Sequence, residues 1–425
     1  MNYYIIPKNN FNININLQLT NENEKIKPYL SYSLIFYLND IYSQLFKLKL
    51  EDNINDTDSK ISLEYINKIV NPFEFIHTNV PGSIISVSKV KPESSIFFEL
   101  MEVFQLLNMN DHFLLKNSIG IAHLTPNHTS TNYLLNMIRE DKEDNIICEN
   151  FDFNNLYNIF ITNKYANKFD LIICEFDKSE YNNTKQYIKN MLLVLMIVIK
   201  YQSPQGISII KIDNIFYKSI IDILFILSAL FDKIYLVKPI ISNVTKGERY
   251  VICKSFNSSI LEKSNLLNQI NEKIIKNIMN NPSLNNICIN SLIDNEIPYY
   301  FLNKLEESNA VIGQQQLEAY DQIINISKNK NRDEKIENLK RNHIQKCIQW
   351  CEKNQLPHNK FIDKVNIFLS PKKKDIDDIE KNNSIQVKEC LEDDDCLEDD
   401  EFAEDHEFTE DHEFIEDHEF TEEIE

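Results

Sequence analysis

Apolar residues recur along this chain at two different spacings, and the change between them divides it. Over 29–48 they fall at helical intervals (Leu34, Phe36, Leu38, Ile41, Leu45), which predicts a helix. A break rich in Asp and Asn follows at 51–60, and Pro81-Gly82-Ser83 marks a turn. Phe97, Leu100, Met101, Phe104 and Leu107 share one face of a helix predicted over 96–107. From about 115 onward, short apolar runs alternate with helical stretches. The spacing predicts strands at 118–122, 145–148, 171–174, 207–212, 234–237 and 250–254, and helices at 131–139, 185–199 and 217–230. Strand and helix in alternation imply a mostly parallel sheet covered on both faces. The last two strands flank a turn-rich polar segment, so they form a hairpin that puts an antiparallel strand into the sheet. Beyond 258 the pattern is helical again, at 260–279, 318–326 and 335–353, and Asn354-Gln355-Leu356-Pro357 stops the last helix.

The expected class is therefore α/β, a doubly wound Rossmann-like sheet closed by an antiparallel hairpin. It occupies 85–257, with a mixed or helical extension over 1–84, a helical region over 258–370, and a linker with a tail over 371–425. The chain has 425 residues, room for two to three domains. No apolar run approaches the about 18 residues of a membrane span, and the N-terminus lacks a signal-peptide pattern. The eight cysteines show no ligand spacing and several sit in apolar runs (Cys148, Cys174, Cys253), as expected of reduced thiols inside a cell. No metal site and a cytoplasmic location are expected.

The net charge of −21 changes meaning once it is located. The segment 389–425 holds 21 acidic side chains and no Lys or Arg, which leaves 44 acidic against 44 basic in the first 388 residues. The body is neutral, so its net charge gives no support for nucleic-acid binding. The tail repeats a six-residue unit from Ala403 to Phe420 and is expected to be disordered and dispensable for folding. Its His406, His412 and His418 read as parts of a solvated acidic tail. Glycine is rare, at five residues, while Ile, Asn and Lys abound, the usage of an AT-rich genome such as that of a large DNA virus.

Candidate chemistry gathers in the hairpin loop, where Lys238, Ser242, Lys246, Glu248 and Arg249 lie between two strands. Loops held by rigid strands are common sites of binding and catalysis. Lys211 and Glu175 stand at the ends of two more predicted strands. By itself a strand-end lysine is a side chain snorkelling to solvent.

The block from 96 to 256 resembles the FtsJ family of S-adenosylmethionine-dependent RNA 2′-O-ribose methyltransferases. The most specific part is the run 230–239 ending in Lys238-Pro239, then Ser242, then Glu248-Arg249-Tyr250-Val251-Ile252-Cys253. Upstream, Pro204-Gln205-Gly206 leading to Lys211, and Asp170-Leu171-Ile172-Ile173-Cys174-Glu175, are similar to the strands that end in that family's catalytic lysine and aspartate. The resemblance implies that Lys211 is the central lysine, Glu248 the final glutamate, and Glu175 stands for the aspartate with one more methylene. Such a group orients a ribose hydroxyl and favours its deprotonation, with the lysine acting as an amine of lowered pKa or by stabilising the oxyanion. The first lysine of the pattern is replaced by Glu99, and Lys89 or Lys91 would have to supply the charge from outside the helix. On this reading Glu99→Lys restores the pattern, and Lys211→Ala leaves the fold intact.

The cofactor loop departs further. The family's glycine-rich turn corresponds to 123–130, where Pro126 and Ser130 align and no glycine remains. Glu149 and Asp152 are the candidates for holding the cofactor ribose. The resemblance implies S-adenosylmethionine as cofactor and RNA as partner, with an mRNA cap as one form of it and a protein partner as another possibility. The alternative is a silent relative whose fold binds RNA or scaffolds a complex, since fold and function separate easily.

Overall fold

The computed structural model describes residues 2–361 apart from 11–12, 21–25, 55–61, 110–112, 114–115, 125–127, 140–141, 150–157, 159–168, 177–182, 261–265, 270–272, 274–287 and 330–331. The acidic tail, Pro126, Asp152 and most of the helix expected at 260–279 lie outside the described residues.

Seven strands form one sheet: β1 (Asn2–Ile6), β3 (Gly120–Leu124), β4 (Asn145–Glu149), β5 (Phe169–Cys174), β6 (Gln202–Ile212), β7 (Phe231–Lys238) and β8 (Arg249–Phe256). Their order is β1-β7-β8-β6-β5-β3-β4. The strands β4, β3, β5 and β6 pair in parallel, and β8 lies antiparallel between β6 and β7. The expected doubly wound sheet with its hairpin is thus present. Strand β1 was not foreseen; it caps the β7 edge, antiparallel, with Tyr4 opposite Leu236. It is short and apolar at four consecutive positions, so it shows no alternation; Tyr3 and Ile5 stay exposed while Ile6 is buried, as on an edge strand with one face open.

The sheet reverses direction at β3, which leads to β4 on one side while β5 lies on the other. Crossovers between parallel strands are right-handed, so a reversal of direction moves the connecting helices to the opposite face. Helices α3 (Ile96–Leu106) and α4 (Thr129–Arg139) accordingly cover one face, with Phe97, Phe98, Leu134 and Leu135 in a core that includes Ile121, Ile173 and Ile209. Helices α5 (Thr184–Tyr201) and α6 (Lys218–Leu230) cover the other, over Ala122, Ile172, Ile210 and Val251. Both α5 and α6 are buried nearly all round, as the apolar run 191–199 of α5 and the mostly apolar sequence of α6 require.

The additions are helical only in part. Helices α1 (Tyr32–Ile54) and α2 (Leu63–Val70) lie between β1 and the other strands of the sheet, and α8 (Tyr299–Lys328) and α9 (Arg332–Lys353) follow its last strand, with a short α7 (Leu266–Gln269) before them. A second, two-stranded sheet pairs β2 (Ile15–Thr20) with β9 (Cys288–Ile293). Helix α8 runs 30 residues where the pattern marked nine, because its middle is polar and pairs with other polar groups. It contributes Phe301 and Leu305 to one core and Ala319, Tyr320 and Ile323 to the other, and so passes along the edge of the sheet from face to face.

The two-stranded sheet is tied to helix α6 at Asp222. Its carboxylate accepts hydrogen bonds from the Ser291 hydroxyl and the Leu292 N–H, both at 2.8 Å, and pairs with Lys218. Asp222 is fully buried. Asp222→Ala is expected to cost about 2–4 kcal/mol, because a buried donor loses its acceptor and an ammonium loses its counter-charge. A urea midpoint unchanged from wild type would show that these bonds contribute nothing.

Candidate active site

Four strand ends converge on the face covered by α3. Alternation along β6 turns Ile207, Ile209 and Lys211 to that face, and along β5 it turns Leu171, Ile173 and then Glu175. Strand β8 runs the other way, so its first residues lie level with the last residues of β6; Tyr250 pairs with Lys211 and with Val237. Glu248, just before β8, therefore reaches Lys211 although 37 positions separate them in sequence. Gly247 makes the approach possible, since a Cβ there would collide with the side chain of Asn214.

Lys211 is the centre of the cluster and is 8% exposed. Its Nζ donates to Glu99 Oε2 at 2.8 Å and lies 3.3 Å from Glu248 Oε2. Tyr250 donates its hydroxyl to the same Glu99 oxygen at 2.7 Å, and its ring centre is 5.5 Å from Lys211 Nζ. Burial would lower the Lys211 pKa, but Glu99, Glu248 and Glu175 together outweigh it and hold the ammonium above the ordinary lysine value. The same balance runs in reverse at Glu99: burial opposes ionisation, and Lys211, Tyr250 and Lys238 win, so its pKa is lowered. Lys211 is thus an ammonium and not the amine of lowered pKa that one version of the family chemistry requires.

Glu99 is no vacancy in the pattern. It is 5% exposed and is the shortest partner Lys211 has among the ion pairs described. Lys91 stands elsewhere, donating to Ser86, and the cations that act on Glu99 are Lys211 and Lys238. One turn further along α3, Glu102 accepts the N–H groups of Ile240 and Ile241 at 3.2 and 3.3 Å. Burial raises its pKa against those bonds. The helix that carries the missing lysine's position therefore grips the hairpin loop with one carboxylate and Lys211 with another.

Lys238 holds the loop from within. Its Nζ donates to the carbonyls of Asn243, Lys246 and Glu248 at 3.1, 2.7 and 3.0 Å. Burial pulls its pKa down to about 7, against the pull of Glu248 and Glu99. Helix α8 braces the loop from outside. Tyr320 donates to the Thr245 carbonyl at 2.6 Å, and Gln316 Nε2 does so at 3.2 Å. Arg249, 1% exposed, donates from Nη1 to Ser308 Oγ and Asn309 Oδ1, both at 3.0 Å. A cavity of about 380 Å³ lies between loop and brace, bordered by Phe73, Lys238, Val244 and Gln322. Tyr320→Phe is expected to cost about 1 kcal/mol of stability, because the Thr245 carbonyl loses its hydroxyl donor. A urea midpoint equal to that of the wild type would show that the brace contributes nothing.

The residues expected to hold a cofactor behave differently. Ser130, 1% exposed in the first turn of α4, accepts the N–H of Ser94 at 2.8 Å, so its hydroxyl ties α4 to the approach to α3. Glu149 is the last residue of β4. His123, the residue before the end of β3, is fully buried, and neither of its ring nitrogens has a hydrogen-bond partner. Sequence reading missed Tyr250, Glu102, Tyr320 and Gln316. Tyr250 lies inside the most specific motif and could have been found there; the other three carry no local signal.

No protein-family model matches the chain, and no curated protein matches it. Among solved structures it is similar to a putative ribosomal RNA methyltransferase from Plasmodium falciparum, at 14% identity over 38% of this chain and 97% of that one, with a TM-score of 0.29. A probable spermidine synthase from Corynebacterium glutamicum matches at 12% identity over 44% and 77%, with a TM-score of 0.26. A phosphoethanolamine N-methyltransferase from Haemonchus contortus, in complex with S-adenosylhomocysteine, matches at 14% over 42% and 43%, with a TM-score of 0.23. Scores this low tie the chain to none of them.

Proposed function

We propose that the chain is an S-adenosylmethionine-dependent methyltransferase acting on the ribose 2′-hydroxyl of RNA. The observation that carries this reading is Lys211, a buried ammonium at a strand end, set between the carboxylates of Glu99 and Glu248 with Glu175 close enough to act on its charge. A fixed cation among hydrogen-bonded carboxylates suits a reaction in which negative charge develops on an oxygen. S-adenosylmethionine, when bound, supplies the methyl group on a sulfonium centre and leaves as a thioether.

In this reading Lys211 donates a hydrogen bond to the 2′-oxygen and offsets the charge that grows there as the O–H bond breaks. The proton passes to Glu248, whose side chain is 20% exposed against 7% for Glu99. Glu99 and Tyr250 keep the ammonium in place, and Glu102, Lys238 and α8 keep the loop in place. Attack is in line, so this positioning contributes a large part of the rate. The residues present fit the cofactor at one point: His123 leaves a buried donor and acceptor unmade one residue before the end of β3, where the sheet reverses and open α/β sheets bind their ligands.

Two measurements test the reading. At 100 times its Kd, S-adenosylmethionine should stabilise the folded chain by about 2.7 kcal/mol, seen as a rise in Tm. Labelled methyl should then appear in RNA as linkages resistant to alkaline cleavage, the mark of a blocked 2′-hydroxyl. Binding without transfer to any RNA would leave the silent scaffold as the better description, and no binding would remove the methyltransferase reading altogether.

A further inference from the structure

His123 lies on the same face of the sheet as Glu175 and Lys211, on the central strand β3, paired with Cys148 of β4 and Ile173 of β5. Its exposure is zero, and both ring nitrogens are without hydrogen-bond partners. Among the described residues the ring of His128 lies beside it, 6.3 Å away between centroids and steeply inclined at 72°. Burial, with His128 as a second cause, lowers its pKa to about 3, so the imidazole is neutral. A neutral imidazole carries one N–H donor and one acceptor, and buried polar groups of folded proteins are nearly always satisfied. A histidine that spends both in the middle of an apolar core is a cost to the fold, and a leucine would fit the surrounding Ile121 and Ile173 without it.

The position accounts for that cost. Strand β3 is where the chain turns to β4 on one side and to β5 on the other, and the crevice outside such strand ends is where doubly wound sheets take ligands. Backbone approach through glycines is not available here, since none of the chain's five glycines lies in 121–205. A side chain must supply the polar contacts instead. We propose that His123 is a ligand-binding residue, whose neutral imidazole gives its donor and acceptor to the uncharged nucleoside part of S-adenosylmethionine in place of a glycine-lined turn. A group without charge suits hydroxyls and ring nitrogens, whereas the amino-acid end of the same ligand calls for charged partners. The inference rests on the methyltransferase reading.

The test is His123→Leu, read without turnover. In the ligand-free protein the substitution should raise Tm by a few degrees, because it removes two unmade hydrogen bonds. In calorimetric titration it should weaken both S-adenosylmethionine and methylthioadenosine, which lacks the amino-acid end, by about tenfold or more. His123→Gln, which keeps a donor and an acceptor, should recover part of that affinity and serves as the probe if the leucine variant folds poorly. Equal affinity in wild type and variants overturns the inference while leaving the methyltransferase reading untouched. A loss confined to S-adenosylmethionine, with methylthioadenosine unaffected, overturns the nucleoside assignment. Wild type that binds neither ligand overturns the methyltransferase reading itself.

Discussion

Lys211→Ala is expected to lower RNA methyl transfer by about 10²–10³-fold, the usual cost of removing a donor aimed at a developing oxyanion. It is also expected to destabilise the fold by about 3 kcal/mol, which the sequence alone did not suggest. Lys211 and Glu99 are both nearly buried, with side chains 10% and 7% exposed, so removing the ammonium strands a carboxylate in the core. The deficit has a pH signature. The Glu99 pKa is lowered in the wild type, so its share of the stability is present above the carboxylate range and is lost as pH falls through it. The Lys211 pKa is raised, so its share is present below the ordinary lysine value and is lost only in strong alkali. In the variant Glu99 loses its main counter-charge and protonates more readily, so the gap to wild type should be widest near neutrality and close below about pH 4. Denaturant midpoints measured from acid to neutral pH check this. A gap that stays constant would mean that Glu99 finds other compensation.

Glu99→Lys is the second large effect, and its sign is opposite to what motif restoration implies. In sequence, Glu99 occupies the place of a family lysine, so the substitution looks like a repair. In the structure it would put a second ammonium where Lys211 has its 2.8 Å carboxylate partner and Tyr250 its 2.7 Å acceptor. Two like charges would then share a site with little access to water, while Lys238, which also acts on Glu99, would lose an attractive partner. A loss of more than about 4 kcal/mol is expected, enough to unfold many domains of this size. Glu99→Gln is the gentler probe. It keeps an acceptor for Tyr250 and Lys211 while removing the charge, and should give a smaller loss. A stable Glu99→Lys protein with gained activity would show that the lysine-for-glutamate exchange is what separates this site from the family pattern.

The order of strands and helices in the central sheet was legible because each element is long and apolar enough to carry its own period. The six strands expected between 118 and 254 are all present, each within a few residues of the boundaries read from spacing. Strands β1, β2 and β9 were not legible. Strand β1 is apolar at four consecutive positions with one face open, β2 is mostly exposed, and β9 is buried on both faces with Asn290 and Ser291 in its middle. The polar centre of α8 hid most of that helix for a related reason: Ser308, Asn309 and Gln316 are buried by hydrogen bonding and not by the apolar stripe on which helical periodicity depends.

For the site, sequence determined which residues stand at strand ends. Lys211, Glu175 and Glu248 owe that placement to short-range pattern and turn chemistry, which a linear chain displays. Their charges were another matter. Whether Lys211 is an amine or an ammonium depends on which carboxylates surround it, and Glu99, 112 positions away, reaches it only because α3 packs across the ends of β6 and β8. Electrostatic energy falls off with distance in space, and separation along the chain has no bearing on it. The sequence by itself made Glu99 a defect in a motif; tertiary packing made it the carboxylate that keeps Lys211 charged.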